Sequence, residues 1–275
     1  MYYLDREYTL QEYCYSEGRG WFTGEIGKMN VKTSTSTRIG AIQYGDDEDG
    51  VHIRVYYQGE CYLSLNATHL LKHLEEADSL VIGELCNDGH WFKGGLRLPG
   101  ALDGTSIAAT TYNWSNQTQV RLYYQAEDLS LREHCCDNKG WYPGQFISAH
   151  RSHPSERDRN FLKGEWNPGR VQGRNPISAV AFALDDGGAE IRVYWRNLQD
   201  EIVASANTGS WGPTTKIIEG IGSGFQFTAL QWEQGKQVRL YYQNSAGVVL
   251  EHCSGDSGRT WNTGSLEVGG LAEQA

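Results

Sequence analysis

Long apolar runs, basic clusters and leader-type segments are all lacking in this sequence of 275 residues. No stretch reaches the roughly 18 apolar residues that a membrane-spanning helix needs, and the opening MYYLDREYTL has no basic region followed by an apolar run. Lys and Arg number 24 against 34 Asp and Glu, a net charge of −10. Because nucleic-acid binding needs clustered cations that neutralise phosphates, we expect no nucleic-acid partner. The lack of a long apolar run and of a leader-type segment leads us to expect no membrane insertion and a cytoplasmic or non-classically secreted protein.

Cysteine and metal-ligand patterns are also sparse. Four of the six cysteines stand two residues after a glutamate, at the same place in a recurring motif: Cys14, Cys86, Cys135 and Cys253. Repeated placement indicates a repeated packing role, so we interpret them as small buried hydrophobic residues, with a disulfide framework as the alternative. The sequence has no Cys-x-x-Cys motif and no carboxylates at calcium-loop spacing, and we therefore expect neither a metal nor another cofactor.

Glycine and aromatic residues are abundant by contrast, with 33 Gly, 16 Tyr and 9 Trp, a composition that suits short strands joined by tight turns. One motif, IRVYYQ or a close variant, occurs four times: Ile53–Gln58, Val120–Gln125, Ile191–Arg196 and Val238–Gln243. Each copy alternates apolar with polar or aromatic residues, as half-buried antiparallel strands do, and precedes a second apolar strand and a Trp. The last two copies lie 47 residues apart, and an internal period of this size predicts a propeller or similar array.

Each repeat offers side chains suited to a sugar. In the repeat that starts at Val120, Arg121 on one strand and Glu133 on the next can face one another across the strand pair. A guanidinium supplies fixed donors and a carboxylate supplies acceptors, so together they can grip neighbouring hydroxyls. An exposed Trp adds a flat face for the C–H surface of a sugar. The set predicts carbohydrate recognition, and the alternative is a structural ion pair beside a core Trp.

The repeat pattern is interrupted at three places. Leu10–Cys14 aligns with Leu131–Cys135, which puts the arginine of the first repeat at position 0, so the pattern predicts a chain that begins inside a repeat and is incomplete at its N-terminus. Extra segments near residues 62–79 and 148–170 break the pattern further on. We interpret the first as a surface insertion, with translated non-coding sequence as the alternative, and the second as a loop or disordered stretch. Apart from these segments, we expect one domain over residues 1–275.

The motifs resemble those of a known family. IRVYYQ, VRLYYQAEDLSLREHCC, GWYPG and IRVYW are similar to motifs of the fungal fucose-specific lectins of the Aleuria type, over nearly the whole chain apart from the two extra segments. The resemblance implies an all-β fold, a six-bladed β-propeller of four-stranded antiparallel blades, of which about five are covered. It also implies that L-fucose binds between blades, without metal or catalysis. Fucosylated glycans and glycoproteins are the expected partners, and a homodimer is left open.

In that family Arg and Glu come from one blade and Trp from the next. Carried over residue by residue, the resemblance implies two complete fucose-binding sets: Arg54, Glu84 and Trp141, and Arg121, Glu133 and Trp211. Three further sets are incomplete: Arg192 with Trp261, where Ala204 replaces Glu; Glu12 with Trp91, which lacks Arg; and Arg239 with Glu251, whose partner blade is the missing first one. Trp21 completes the last set only if the ring closes on the partial blade. We expect the Arg192 set to be weak or inactive.

Two other functions remain open at this stage. Ser254–Trp261 fits the pattern SxDxGxxW, which is common in sialidases, and these enzymes are also propellers. A sialidase needs converging arginines for the substrate carboxylate, whereas here each Arg occurs once per repeat. The other alternative is a non-catalytic propeller scaffold for protein partners. Glycan binding without release of sugar would separate a lectin from an enzyme.

Overall fold

The structure, a computed structural model, describes residues 1–45, 50–60, 80–114, 117–137, 140–144, 173–184, 188–221 and 226–269, apart from the side chain of residue 60. Within these ranges all regular structure is β-strand except one 3₁₀ turn, Ile26–Met29. The predicted all-β class is therefore confirmed. The extra segments predicted near 62–79 and 148–170 lie outside the described residues. Over the part that is described, no helix is long and apolar enough to cross a membrane.

The first compact unit, Met1–Ile107, contains two antiparallel sheets with strands in sequential order. The first sheet has three strands: β1 (Tyr2–Leu4), β2 (Leu10–Ser16) and β3 (Gly20–Thr23). The second has four: β4 (Gly40–Tyr44), β5 (His52–Glu60), β6 (Leu80–Asn87) and β7 (Trp91–Pro99). The short β1 pairs with β2 as β5 pairs with β6, so it occupies the place of the arginine-bearing strand.

The second compact unit, Ala108–Ala275, contains three four-stranded antiparallel sheets, also in sequential order. The first of these consists of β8 (Ala108–Trp114), β9 (Gln117–Gln125), β10 (Leu131–Asp137) and β11 (Gly140–Pro143). The next consists of β12 (Ile177–Ala183), β13 (Ala189–Arg196), β14 (Ile202–Asn207) and β15 (Thr215–Ile218). The last consists of β16 (Phe227–Trp232), β17 (Gln237–Gln243), β18 (Val249–Ser254) and β19 (Asn262–Val268). Each is an up-and-down meander, as a propeller blade requires.

The strands follow the alternation that the sequence predicts. In β10 the buried Leu131, Glu133 and Cys135 alternate with the partly exposed Arg132 and His134. Successive side chains of a strand point to opposite faces, so the acidic residue and the cysteine share a face. A carboxylate on the buried face is costly unless it is hydrogen-bonded, and this marks Glu133 as a residue with a specific partner.

The cores lie where consecutive sheets of a unit meet. In the first unit, Leu10, Ile26 and Val31 pack with Val55 and Leu85. In the second unit, one cluster joins residues of β8, β9 and β10 to residues of β12, β13 and β14, and another joins β12, β13 and β14 to β16 and β17. In repeat proteins each unit covers the apolar face of its neighbour. The side chains at the junction between two sheets therefore form the core, and a site made of residues from both sheets must also lie there.

The cysteines are only partly as predicted. The five described cysteines are free thiols: Cys14, Cys86, Cys135, Cys136 and Cys253. Of the four in the repeated position, Cys86 and Cys135 are buried, which confirms the prediction for them, whereas Cys14 and Cys253 are partly exposed. The repeated position therefore does not reflect burial alone.

Candidate site at the junctions between sheets

The register of β9 and β10 decides which predicted residues are neighbours. Arg121 lies directly opposite Cys135, and Tyr123 lies directly opposite Glu133. The prediction that Arg121 and Glu133 face one another is therefore wrong in detail, because they are diagonal neighbours on the same face. Diagonal pairs are within reach of long side chains. The residue that faces the glutamate is a tyrosine to which the sequence motif alone assigned no role.

The tyrosine fixes the glutamate by a hydrogen bond. Tyr123 Oη donates to Glu133 Oε1 at 2.7 Å, and Tyr241 Oη donates to Glu251 Oε1 at 2.9 Å. Burial, and then the charge of Glu133, raises the pKa of Tyr123 well above its ordinary value, so the phenol keeps its proton and remains a donor. A carboxylate that receives one such bond keeps acceptor capacity for a ligand hydroxyl.

The same register recurs in the other sheets. The tyrosine that faces the glutamate position is Tyr2 for Glu12, Tyr56 for Glu84, Tyr241 for Glu251 and Tyr194 for Ala204. It is always the first Tyr of the repeated motif, two residues after the arginine where an arginine is present. The motif thus contained the signal for a third site residue, but its regular spacing is equally typical of a structural core position.

The tryptophan of the following sheet contacts the same tyrosine. Tyr123 and Trp211 meet edge to face, with ring centroids 6.1 Å apart and planes at 87°. Tyr194 and Trp261 repeat this geometry at 6.1 Å and 87°. Tyr2 and Trp91 do so at 6.1 Å and 85°. The structure therefore brings together three of the predicted sets across their junctions: the Arg121, Arg192 and Glu12 sets.

The two other predicted sets combine residues of different compact units. Arg54 and Glu84 lie in the first unit and Trp141 lies in the second, whereas Arg239 and Glu251 lie in the second unit and Trp21 in the first. Their grouping stays a prediction. The arginine and glutamate of each of these two sets are diagonal neighbours, as in the Arg121 set, since Arg54 faces Cys86 and Arg239 faces Cys253.

An aromatic ring of the neighbouring strand supports three of the arginines. The guanidinium carbon of Arg121 lies 5.3 Å from the ring centroid of Tyr112, and Arg121 Nη2 donates to Tyr112 Oη at 2.8 Å. Arg54 lies 5.2 Å from Tyr44, and Arg239 lies 4.8 Å from Trp232. Such cation–π contacts limit the motion of a long side chain. Sequence spacing missed these rings because the turn between the two strands varies in length from sheet to sheet.

Arg54 has an additional acidic partner. Its Nη1 lies 2.7 Å from Asp88 Oδ1, and His52 Nδ1 lies 2.6 Å from the same oxygen. Burial alone would raise the pKa of Asp88, but hydrogen bonds from Arg54 and His52 outweigh it and hold the pKa below its ordinary value. Asp88 therefore stays charged and occupies donors of Arg54 that a sugar would otherwise use.

At the Arg192 junction, the guanidinium is engaged by groups of the protein itself. Arg192 pairs with the buried Glu190 of its own strand, and its Nη1 donates to the Gly258 carbonyl at 2.8 Å. Ala204 stands opposite Tyr194, and over the described residues no atom accepts a hydrogen bond from the fully buried Tyr194 hydroxyl. This junction has lost the carboxylate that the others carry, and its guanidinium is already engaged.

The tryptophans differ in how much of the ring is accessible. Trp211 is only 7% exposed, so the expectation of an exposed flat face is wrong for this residue, whereas Trp21 is 57% exposed. His134 stacks on Trp141 at 5.9 Å and 21°, and His252 stacks on Trp261 at 5.9 Å and 15°. A ring covered on one face by a histidine can present only its other face or its edge to a ligand.

The SxDxGxxW segment forms a self-contained turn. The Asp256 carboxylate accepts hydrogen bonds from the backbone N–H groups of Arg259 and Thr260, at 3.0 and 2.8 Å. Its other oxygen accepts from Thr260 Oγ1 at 2.6 Å. These bonds lower the pKa of Asp256 far below its ordinary value, which fits a turn residue and not a general acid. In the described ranges, no group of three or more His, Cys, Asp or Glu could hold a metal ion.

Comparison with known proteins adds to this geometry. The family model described as "Fungal fucose-specific lectin" matches residues 1–272. The fucose-specific lectin of Aleuria aurantia is 26% identical, and the alignment covers 97% of this chain and 72% of that protein.

Solved structures agree on the fold. The crystal structure of Aleuria aurantia lectin, described as a six-bladed β-propeller, matches with a TM-score of 0.70 and 24% identity, covering 98% of this chain and 73% of that one. A variant of the same lectin in complex with α-methyl-L-fucoside matches with a TM-score of 0.69 and 25% identity, covering 98% and 72% of the two chains. The predicted β-propeller fold is confirmed by these likenesses.

Proposed function

Because the chain belongs to the fungal fucose-specific lectin family, we propose that it binds L-fucose in fucosylated glycans at the junctions between sheets. One observation identifies the residues that we expect to bind the sugar. Arg121 and Glu133 lie on one face of β9 and β10, and Tyr123, which holds Glu133, contacts Trp211 of the following sheet. A donor, an acceptor and an aromatic edge thus meet at one junction.

The chemistry of this junction suits a deoxy sugar. The guanidinium of Arg121 donates to sugar oxygens, and the carboxylate of Glu133 accepts from sugar hydroxyls, so two neighbouring hydroxyls are bound from two sides. The accessible edge of Trp211, which the buried ring of Tyr123 supports from behind, provides an apolar contact for the methyl group and C–H surface. Charge-assisted hydrogen bonds of this kind contribute about 1.5–3 kcal/mol each.

We propose further that binding is non-catalytic and independent of metal. Among the described residues each of the four site arginines lies on a different sheet, whereas a sialidase needs several arginines at one carboxylate. The relatives described above are lectins, and neither the sialidase nor the scaffold hypothesis gains support from them. The partners that this proposal implies are fucosylated glycans and glycoproteins.

Valency follows from the residues at each junction. The sheets with Arg54, Arg121 and Arg239 carry both Arg and Glu on adjacent strands, and we assign a fucose site to each, the weakest to Arg54 because Asp88 engages its guanidinium. In the Glu12 sheet the glutamate faces Tyr2, which contacts Trp91 of the following sheet. We assign no fucose site to the Arg192 junction.

Calorimetric titration with α-methyl-L-fucoside in the presence of excess EDTA tests the proposal. The matched control ligand is methyl α-L-galactoside, which differs by one hydroxyl at the carbon that is a methyl group in fucose. We expect saturable binding of the fucoside, weaker binding of the galactoside and no loss of affinity in EDTA. Absence of fucoside binding by a folded protein, or binding that returns only with added calcium, would contradict the proposal.

A further inference from the structure

A glycine lies directly against the carboxylate of every site glutamate. A Cβ added to a glycine in the last strand of the sheet, or directly after it, would approach the glutamate Oε2 to 2.1–2.3 Å in four sheets: Gly24 at Glu12, Gly94 at Glu84, Gly144 at Glu133 and Gly264 at Glu251. Such a contact is far below van der Waals distance. None of these glycines has a positive φ, so turn geometry does not explain them. The space that they leave is filled by the carboxylate.

The repeated cysteine lies beside the same glycine and carboxylate: a Cβ added to Gly94 would also approach Cys86 Sγ to 2.7 Å, and one added to Gly264 would approach Cys253 Sγ to 2.8 Å. Burial, and then the charge and hydrogen bonding of the adjacent glutamate, raises the pKa of Cys135 to about 12 and that of Cys86 to about 12. Each thiol therefore keeps its proton and can donate it. At the last sheet, burial alone would raise the pKa of Glu251, but hydrogen bonds from Tyr241 and Cys253 help to hold it below its ordinary value.

The sheet formed by β12–β15 has no glutamate at the site position, and its neighbouring positions differ as well. Ala204 occupies the glutamate position, Ala206 faces Arg192 in place of cysteine, and Thr215 faces Ala204 in place of glycine. All three positions differ together. Arginine, tyrosine and the following tryptophan remain in this sheet, so they alone do not distinguish it from the other sheets.

We propose that the glycine and the cysteine are positioning residues that hold the site glutamate, and that the Glu–Cys–Gly set marks which sheets bind sugar. The glycine lets the carboxylate lie against the last strand of the sheet, and the thiol donates to it, so that the carboxylate is held on the face shared with the arginine. The part that concerns sugar rests on the proposed function. The steric part, in which glycine is required only where glutamate is present, does not.

A double-mutant cycle on Glu133 and Gly144 tests the steric part without any sugar. Gly144→Ala should lower the melting temperature of the wild-type chain by about 2–4 °C or more, because the added methyl group displaces Glu133. In the Glu133→Ala background the same substitution should be nearly silent, as in the natural Ala204–Thr215 pair. Gly95→Ala, where nothing lies within 4 Å of the new Cβ, is the control. An equal loss in both backgrounds would overturn the proposal.

Binding by variants of Cys135 tests the second part. In a background with Arg54→Ala and Arg239→Ala, which leaves the Arg121 site, Cys135→Ala removes the donor and should weaken α-methyl-L-fucoside binding roughly 2–10-fold. Cys135→Ser keeps a donor and should stay within about twofold of the parent. Equal affinities of the Ala and Ser variants would contradict a positioning role. Failure of the parent to bind fucoside would instead count against the proposed function, while the melting cycle would still decide the steric part.

Discussion

Tyr123 and Tyr194 form a natural matched pair for measuring the tyrosine–glutamate hydrogen bond. Tyr123 donates to Glu133, whereas Tyr194, equally buried, faces Ala204. We expect Tyr123→Phe to lower the free energy of unfolding by about 1.5–3 kcal/mol, because a largely buried carboxylate loses a charge-assisted bond. Tyr194→Phe should change it by less than about 0.5 kcal/mol. Urea denaturation of both variants provides the comparison, and equal losses would show that the tyrosines act only by packing.

Single residues also show the limit of what the sequence predicts. Arg121, Glu133 and Trp211 were predicted as a set, and the structure places them at one junction. The direct neighbours were not predicted, because a shift of two residues in register would place Arg121 opposite Glu133 without changing which side chains share a face. Asp88 was missed because it lies in a turn, where no periodicity constrains the side chain.

At the scale of strands, the residue that follows the glutamate stacks on the tryptophan of its own sheet in three sheets: Tyr13 on Trp21, His134 on Trp141 and His252 on Trp261. In two sheets this residue is a histidine, His134 or His252, stacked on Trp141 or Trp261. Burial lowers the pKa of both histidines below the ordinary value of 6.5. A group whose pKa is lower in the folded state favours folding when it is neutral, so its contribution is complete above about pH 6.5 and is lost as the pH falls.

The resulting prediction concerns stability between pH 7.5 and pH 5. The urea midpoint of the wild-type chain should decrease over this range, and it should decrease less in His134→Phe and His252→Phe, which keep the stacking but cannot be protonated. His90→Phe, at an exposed position, is the control for the substitution itself. An identical pH dependence in all four proteins would contradict the role of these histidines.

Strands and their order were the most predictable elements. The four copies of the arginine motif lie on β5, β9, β13 and β17, because alternation with aromatic and β-branched residues strongly favours half-buried strands. The exposure of the tryptophans was not predictable, since it depends on how closely consecutive sheets pack. Trp211 is buried although it occupies the same repeat position as the exposed Trp21.

For the whole molecule, we expect fewer fucose-binding sites than copies of the arginine motif. Arg192→Ala should leave the fucoside stoichiometry unchanged, because Arg192 is engaged by Glu190 and the Gly258 carbonyl. Arg121→Ala should lower the stoichiometry by one. Both variants can be compared by calorimetry at matched active concentrations. A loss of one site in Arg192→Ala would show that this junction binds sugar despite the absence of its glutamate.

The most direct test of the central claim is a crystal structure of the chain with α-methyl-L-fucoside. We expect sugar density at the Arg121 junction, with hydroxyl oxygens within hydrogen-bond distance of Arg121 and Glu133 and the apolar side of the sugar against the accessible edge of Trp211. We expect no sugar at the Arg192 junction. Fucoside bound away from the junctions, or bound beside Arg192 while the Arg121 junction stays empty, would contradict the account.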